Sequence, residues 1–111
     1  MEMELDFDLR TGAFNDMKEF LLRSIQSYVM HHNSVKVGIT CDPDRRFYEH
    51  SNSGKRWKKM VVKYETSSVS YINNMEKALI EHHFDFIENE VNGGGGPNGV
   101  CGPYYLYVLL K

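Results

Sequence analysis

The feature that most constrains the fold is a strand signal that runs directly into a helix signal. Val35–Thr40 places apolar residues at alternate positions, which is the period of a β-strand. Asp42 and Pro43 then favour a helix start, because the Asp42 carboxylate can accept hydrogen bonds from the free amides and proline suits the first helical position. We expect this helix to run to about Asn52 and to be ended by Gly54.

Two further helices are indicated by apolar residues at spacings of three and four. The first covers residues 16–31, with Thr11 or Asn15 as the capping residue. The other is the longest, and it is expected to run from residue 67 or 68 to about residue 89. The glycine-rich segment 92–99 that follows holds no regular structure in this interpretation.

Strand patterns also occur at Lys59–Thr66, which alternates, and at Tyr104–Leu110, which is aromatic and aliphatic. Residues 1–8 are either a short edge strand or a disordered part of an N-terminal arm over residues 1–14. The chain is therefore predicted to be a single α+β domain over residues 1–111. Its sheet is expected to be small, three-stranded and mainly antiparallel, with about three flanking helices.

Length and composition set the class of protein. The chain has 111 residues, enough for one domain with a real core. It shows no apolar run of membrane-spanning length, no secretory signal pattern, and only two cysteines, Cys41 and Cys101. We expect an intracellular protein, cytoplasmic or nuclear, that does not interact with membranes.

Charge is distributed unevenly along the chain. The net charge is −2, yet residues 45–63 carry seven Lys and Arg against the single acid Glu49. Such a basic stretch can hold a phosphate backbone, although a solvated surface is the alternative explanation. The candidate nucleic-acid-binding residues are Lys55, Arg56, Lys58, Lys59 and Lys63.

Three side chains could carry chemistry. Arg46 and His50 are four residues apart and share a helix face, which suits a phosphate, although such pairs are often only surface residues. Glu76 lies within the apolar stripe of the last helix. A carboxylate placed there is costly unless it forms a salt bridge or binds a hard cation such as Mg²⁺.

The run from Val35 through Gly38 to Asp42-Pro43-Asp44-Arg45-Arg46 and His50 resembles the YIG half of the GIY-YIG nuclease superfamily. The resemblance covers residues 35–88. It implies that Arg46 is a catalytic arginine, that His50 assists one turn later, and that Glu76 binds a metal ion. Lys36 stands at the place of the motif's tyrosine, as in some members of the family.

The GIY half is not found before this run, where residues 16–31 have the pattern of a helix. Gly102-Pro103-Tyr104 enters the last strand instead. The resemblance therefore implies a circular permutation in which Tyr104 is the catalytic tyrosine. The competing assignment uses Tyr28, on an earlier strand.

The activity that the resemblance implies is hydrolysis of DNA phosphodiester bonds by an endonuclease that depends on Mg²⁺ or Mn²⁺. Tyr104, helped by Lys36, would activate water, Arg46 would stabilise charge, His50 would assist, and Glu76 would hold the ion. The alternative is an inactive nucleic-acid-binding or protein-interaction module on the same fold. The specificity of either is expected to come from a homodimer, from a recruiting protein partner or from DNA shape.

Overall fold

The fold is that of an α+β domain, in a computed structural model that describes residues 3–82 and 102–111. Within these residues, three helices flank one four-stranded mixed sheet. The elements in chain order are β1 (Glu4–Thr11), α1 (Phe14–His31), β2 (Val35–Thr40), α2 (Pro43–Ser51), β3 (Lys59–Thr66), α3 (Val69–His82) and β4 (Tyr104–Leu110). The predicted end of the last helix near residue 89, the glycine-rich segment 92–99 and Cys101 lie outside the described residues.

The prediction of a three-stranded sheet is wrong, because β1 is a fourth strand. The strand order is β1-β3-β4-β2, and β1 pairs with β3 in parallel. Its acidic residues meet lysines of β3: Asp6 lies 3.3 Å from Lys59, and Asp8 accepts a hydrogen bond from Lys63. Of the two alternatives for residues 1–8, the edge strand is therefore the one observed, and Asp6 and Asp8 help to hold it against β3.

The last strand, β4, pairs antiparallel with both β2 and β3. Gly38 of β2 stands opposite Tyr107 of β4 in this register. The C-terminal strand therefore lies directly beside Gly38. The two paired strands, β2 and β4, come from distant parts of the chain.

The two faces of the sheet are covered differently. The helices α1 and α3 pack on one face, where the main core includes Leu21, Ile25 and Leu79. A smaller cluster covers the other face, and α2 contributes Phe47 to it. Successive side chains of β4 point to opposite faces, so Tyr104 belongs to the main core and Tyr107 to the smaller cluster.

The residues that cap α1 and α2 can be compared with the capping residues predicted from the sequence. Asp42 caps α2 as predicted, since its side chain accepts a hydrogen bond of 3.1 Å from the Arg45 backbone N–H. The capping residue of α1 is Ala13, without a side-chain hydrogen bond, so the expectation of Thr11 or Asn15 is wrong. Among the helices of residues 3–82, none is long and apolar enough to cross a membrane.

Candidate active site

The site is built on the contact between Gly38 and Tyr107. A Cβ atom at position 38 would lie 2.4 Å from the Tyr107 hydroxyl oxygen and 2.5 Å from Cζ. No side chain tolerates contacts this short, so the ring occupies the space that a residue larger than glycine would fill. The phenol is almost fully buried, with 3% of Tyr107 exposed.

Helix α2 brings two of the predicted catalytic residues to this phenol. His50 Nε2 lies 2.9 Å from the Tyr107 hydroxyl oxygen, and the two ring centres are 5.5 Å apart. The Arg46 guanidinium is close enough to lower the pKa of the Tyr107 hydroxyl. The spacing of one helical turn therefore brings an imidazole into contact with this hydroxyl group and a positive charge into its neighbourhood.

The protonation of the His50–Tyr107 pair follows from burial and neighbouring charge. Burial first, then the cations Arg46 and Lys36, lower the pKa of His50 from 6.5 to about 4. Burial raises the pKa of Tyr107; Arg46 opposes this, and the negative charges of Glu76 and Glu49 add to it. At neutral pH the pair is therefore a neutral imidazole and a protonated phenol.

Two more predicted residues act electrostatically on the pair. Lys36 is half-buried on β2, two residues from Gly38 and hence on the same face of the sheet. Glu76 is 8% exposed on α3, which packs against β2 and β4 on the opposite face of the sheet. The structure thus brings Lys36, Arg46, His50 and Glu76 within electrostatic reach of one phenol or its histidine partner.

The structure brings Tyr107, rather than the predicted Tyr104, into contact with His50. Tyr104 lies in the main core, on the opposite face of the sheet from His50. Tyr28, the competing choice, lies on helix α1 rather than on a strand, with its ring 5.4 Å from Lys63 Nζ. Tyr107 holds the place assigned to Tyr104, and the sequence offered no signal for it, because strand register does not follow from composition.

Two side chains of α3 carry oxygen atoms of the kind that bind divalent cations. Glu76 supplies a carboxylate, and Asn73 lies one turn earlier with its Oδ1 atom buried and without a hydrogen-bond partner in the described part of the chain. Residues 3–82 and 102–111 contain no group of three or more His, Cys, Asp or Glu side chains suited to a metal ion. Mg²⁺ usually keeps several waters and needs only one or two protein ligands, so Glu76 and Asn73 are the side chains of α3 that could hold one such ion.

The predicted nucleic-acid-binding residues separate into two groups. Lys55, Arg56 and Lys58 are exposed in the connection between α2 and β3. Lys59 is half-buried and forms its ion pair with Asp6. Lys63 is only 2% exposed, so its assignment to a DNA-binding surface is wrong.

Lys63 is held inside the fold by aromatic rings and a carboxylate. Its Nζ atom lies 5.5 Å from the Phe20 ring centre and 5.4 Å from that of Tyr28, and it donates to Asp8. A cation between two rings and beside an acid is stabilised without water. Lys63 is therefore part of the packing of the fold rather than of its surface.

The structure adds one cation that the sequence reasoning missed. Lys111, after the last strand, places Nζ 4.7 Å from the Trp57 ring centre and donates a 3.1 Å hydrogen bond to the Lys55 carbonyl oxygen. The chain's last residue thus joins the α2–β3 connection. We call Lys55, Arg56, Lys58 and Lys111 the basic loop surface.

Comparison of the chain with protein-family models, with curated proteins and with solved structures finds no match. The grounds for a function are therefore the chain's own residues. These are a buried phenol bonded to an imidazole, a guanidinium and a carboxylate that shift the pKa of this phenol, and the basic loop surface in the connection after α2.

Proposed function

We propose that the chain is a divalent-metal-dependent endonuclease that hydrolyses DNA phosphodiester bonds on a circularly permuted GIY-YIG-like fold. The observation that carries the proposal is the Tyr107 hydroxyl, which bonds to His50 beside Gly38 and lies in the field of Arg46. A phenol that contacts a neutral imidazole and has a guanidinium nearby combines a proton path with a phosphate-binding group. The resemblance of residues 35–88 to the nuclease family supports the same reaction.

The proton path runs from water through the phenol to the imidazole. The attacking water gives its proton to the Tyr107 oxygen while Tyr107 passes its own proton to His50 Nε2. The lowered pKa of His50 makes it a weak acceptor in the free chain. A phosphate bound at Arg46 and Lys36 would offset the positive field that contributes to this lowering, so substrate binding strengthens the acceptor.

Arg46 and Lys36 would stabilise the negative charge on the phosphoryl group. Arg46 can bind a phosphate oxygen through a guanidinium N–H, and Lys36 adds a second positive charge on the same face of the sheet. Glu76, with Asn73, would hold Mg²⁺ or Mn²⁺. When bound, such an ion polarises the phosphate and stabilises the leaving oxygen.

The basic loop surface would hold the flanking DNA backbone. Three of its cations lie in the connection that follows α2, the helix of Arg46 and His50, and Lys111 bonds to this connection. Contacts of this kind position the duplex without reading its sequence. Sequence or structure specificity would then depend on a second copy of the chain, on a recruiting protein or on DNA shape.

The test is nicking of supercoiled plasmid by the purified protein with Mg²⁺ or Mn²⁺, with chelator as the control. We expect ion-dependent nicking that falls about 100-fold or more in Glu76→Gln and in Arg46→Ala. The Glu76→Gln protein should still bind a labelled duplex in chelator. Nicking by Glu76→Gln at the wild-type rate would contradict the proposed role of the carboxylate.

An inactive nucleic-acid-binding or protein-interaction module is the second candidate. It is favoured by Lys36, which stands where the resemblance has a tyrosine, and by the net charge of −2. Salt-sensitive binding of DNA with no nicking at any Mg²⁺ or Mn²⁺ concentration would identify a nucleic-acid-binding module. Failure to bind DNA at low salt would leave the protein-interaction module.

A further inference from the structure

Glu49 holds both arginines of α2 through one carboxylate. Its Oε1 lies 3.1 Å from Arg46 Nε, and its Oε2 lies 3.5 Å from Arg45 Nε. Carboxylate and phosphate are the two anions that guanidinium groups bind most readily, and for the same geometric reason. The Glu49 carboxylate is therefore placed as a phosphate group would be.

The two arginines and Glu49 line a cavity of about 230 Å³ next to the Tyr107 site. Its other lining residues are Thr40, Cys41 and Asp42. Asp42 is already engaged, since its carboxylate caps α2 by accepting from the Arg45 backbone N–H. Glu49 is consequently the acid in this cavity that can leave without breaking the helix start.

We propose that Arg45 and Arg46 form a phosphate-binding subsite that Glu49 fills in the DNA-free chain, and that a backbone phosphate of DNA displaces the Glu49 carboxylate. The nature of the ligand rests on the proposed function. The exchange is feasible because the Glu49 and Arg45 side chains are 49% and 77% exposed. Ion pairs at such exposure contribute little stability, and the freed carboxylate can move into water.

The exchange at Glu49 would also affect the Tyr107 hydroxyl group. Arg46 forms an ion pair with Glu49 and lowers the pKa of Tyr107, whereas the Glu49 charge contributes to the raised pKa of Tyr107. Displacement of Glu49 would exchange the carboxylate charge beside Arg46 for the negative charge of the bound phosphate, so the substrate itself would take over the contact with Arg46. Arg45, which the sequence suggested only as part of a basic stretch, becomes a specific phosphate ligand.

The test compares Glu49→Gln with Asp44→Asn, which makes the same charge change at an exposed position of the same helix. Affinity for a short fluorescent duplex is measured by anisotropy in chelator, and affinity for inorganic phosphate by NMR titration. We expect Glu49→Gln to bind both probes about three- to tenfold more tightly. Asp44→Asn should change either affinity by less than about twofold, because salt screens a charge without direct contact.

A third variant tests the subsite itself. Adding Arg45→Ala to Glu49→Gln should cancel most of the gain in phosphate affinity, with thermal unfolding confirming that each variant is folded. Equal gains in Glu49→Gln and Asp44→Asn would overturn the proposal, as would weaker binding by Glu49→Gln, which would show that Glu49 instead positions Arg46. Plasmid nicking by the wild type decides the endonuclease proposal separately, because the binding comparison requires no turnover.

Discussion

The His50 imidazole and the Tyr107 hydroxyl group are joined by a 2.9 Å contact between residues 57 positions apart in the chain. This contact ties α2 to β4, and it exists only because the last strand lies beside β2 with Gly38 opposite Tyr107. The proposed proton path therefore depends on strand register as much as on residue type.

Tyr107→Phe should abolish nicking, whereas Tyr104→Phe should leave it nearly intact. The first change removes the hydroxyl that bonds to His50, and the second affects a tyrosine on the opposite face of the sheet. We expect a loss of about 100-fold or more for Tyr107→Phe, the range for removing a general base or proton relay. Initial rates on supercoiled plasmid give the comparison, and a larger loss in Tyr104→Phe would refute the site described here.

Gly38→Ala should destabilise the fold and impair the site together. The new methyl group would meet the Tyr107 ring at 2.4–2.5 Å and force it away from His50. Overpacking of this kind costs about 1–3 kcal/mol. Urea unfolding of a double-mutant cycle is the measurement: in a Tyr107→Ala background the same glycine substitution should be nearly neutral. Equal destabilisation in both backgrounds would place the strain elsewhere.

His50 should make the stability of the fold depend on pH. Its pKa is about 4 in the folded chain and near 6.5 when unfolded. Between these values the unfolded state binds more protons, so the contribution is present above pH 6.5 and is lost as pH falls through about 4. Because the ring is partly solvated, we expect the free energy of unfolding to fall by roughly 1–2 kcal/mol more in wild type than in His50→Gln between pH 7.5 and 4. Parallel pH profiles would show that His50 is not the group responsible.

Lys63 and Lys58 should respond oppositely to substitution, although sequence alone groups them together. Lys63→Met removes a buried cation from Asp8 and two rings, so it should lower the free energy of unfolding by about 1–3 kcal/mol and leave DNA affinity unchanged in the folded protein. Lys58→Ala should weaken DNA binding and reduce the slope of log affinity against log salt by about one, with little effect on stability. Urea unfolding and anisotropy titrations at several salt concentrations separate the two effects.

Local signals in the sequence were sufficient wherever neighbouring residues determine the structure. Val35–Thr40, Lys59–Thr66 and Tyr104–Leu110 are strands over the predicted ranges. The start of α2 also follows from Asp42 and Pro43, because a cap and a fixed backbone angle act within one turn. In contrast, β1 was ambiguous, because Asp6 and Asp8 are paired with lysines of a strand more than fifty residues away.

The sequence by itself determined that Arg46 and His50 share a face of α2, because helical spacing is a local property. It also placed Glu76 inward, since the carboxylate falls within an apolar stripe. Only the tertiary structure decided that His50 bonds to Tyr107 and not to Tyr104. The side chains of a strand alternate between two faces, so the choice between these tyrosines depends on how β4 aligns with Gly38, a pairing between distant segments that no local pattern specifies.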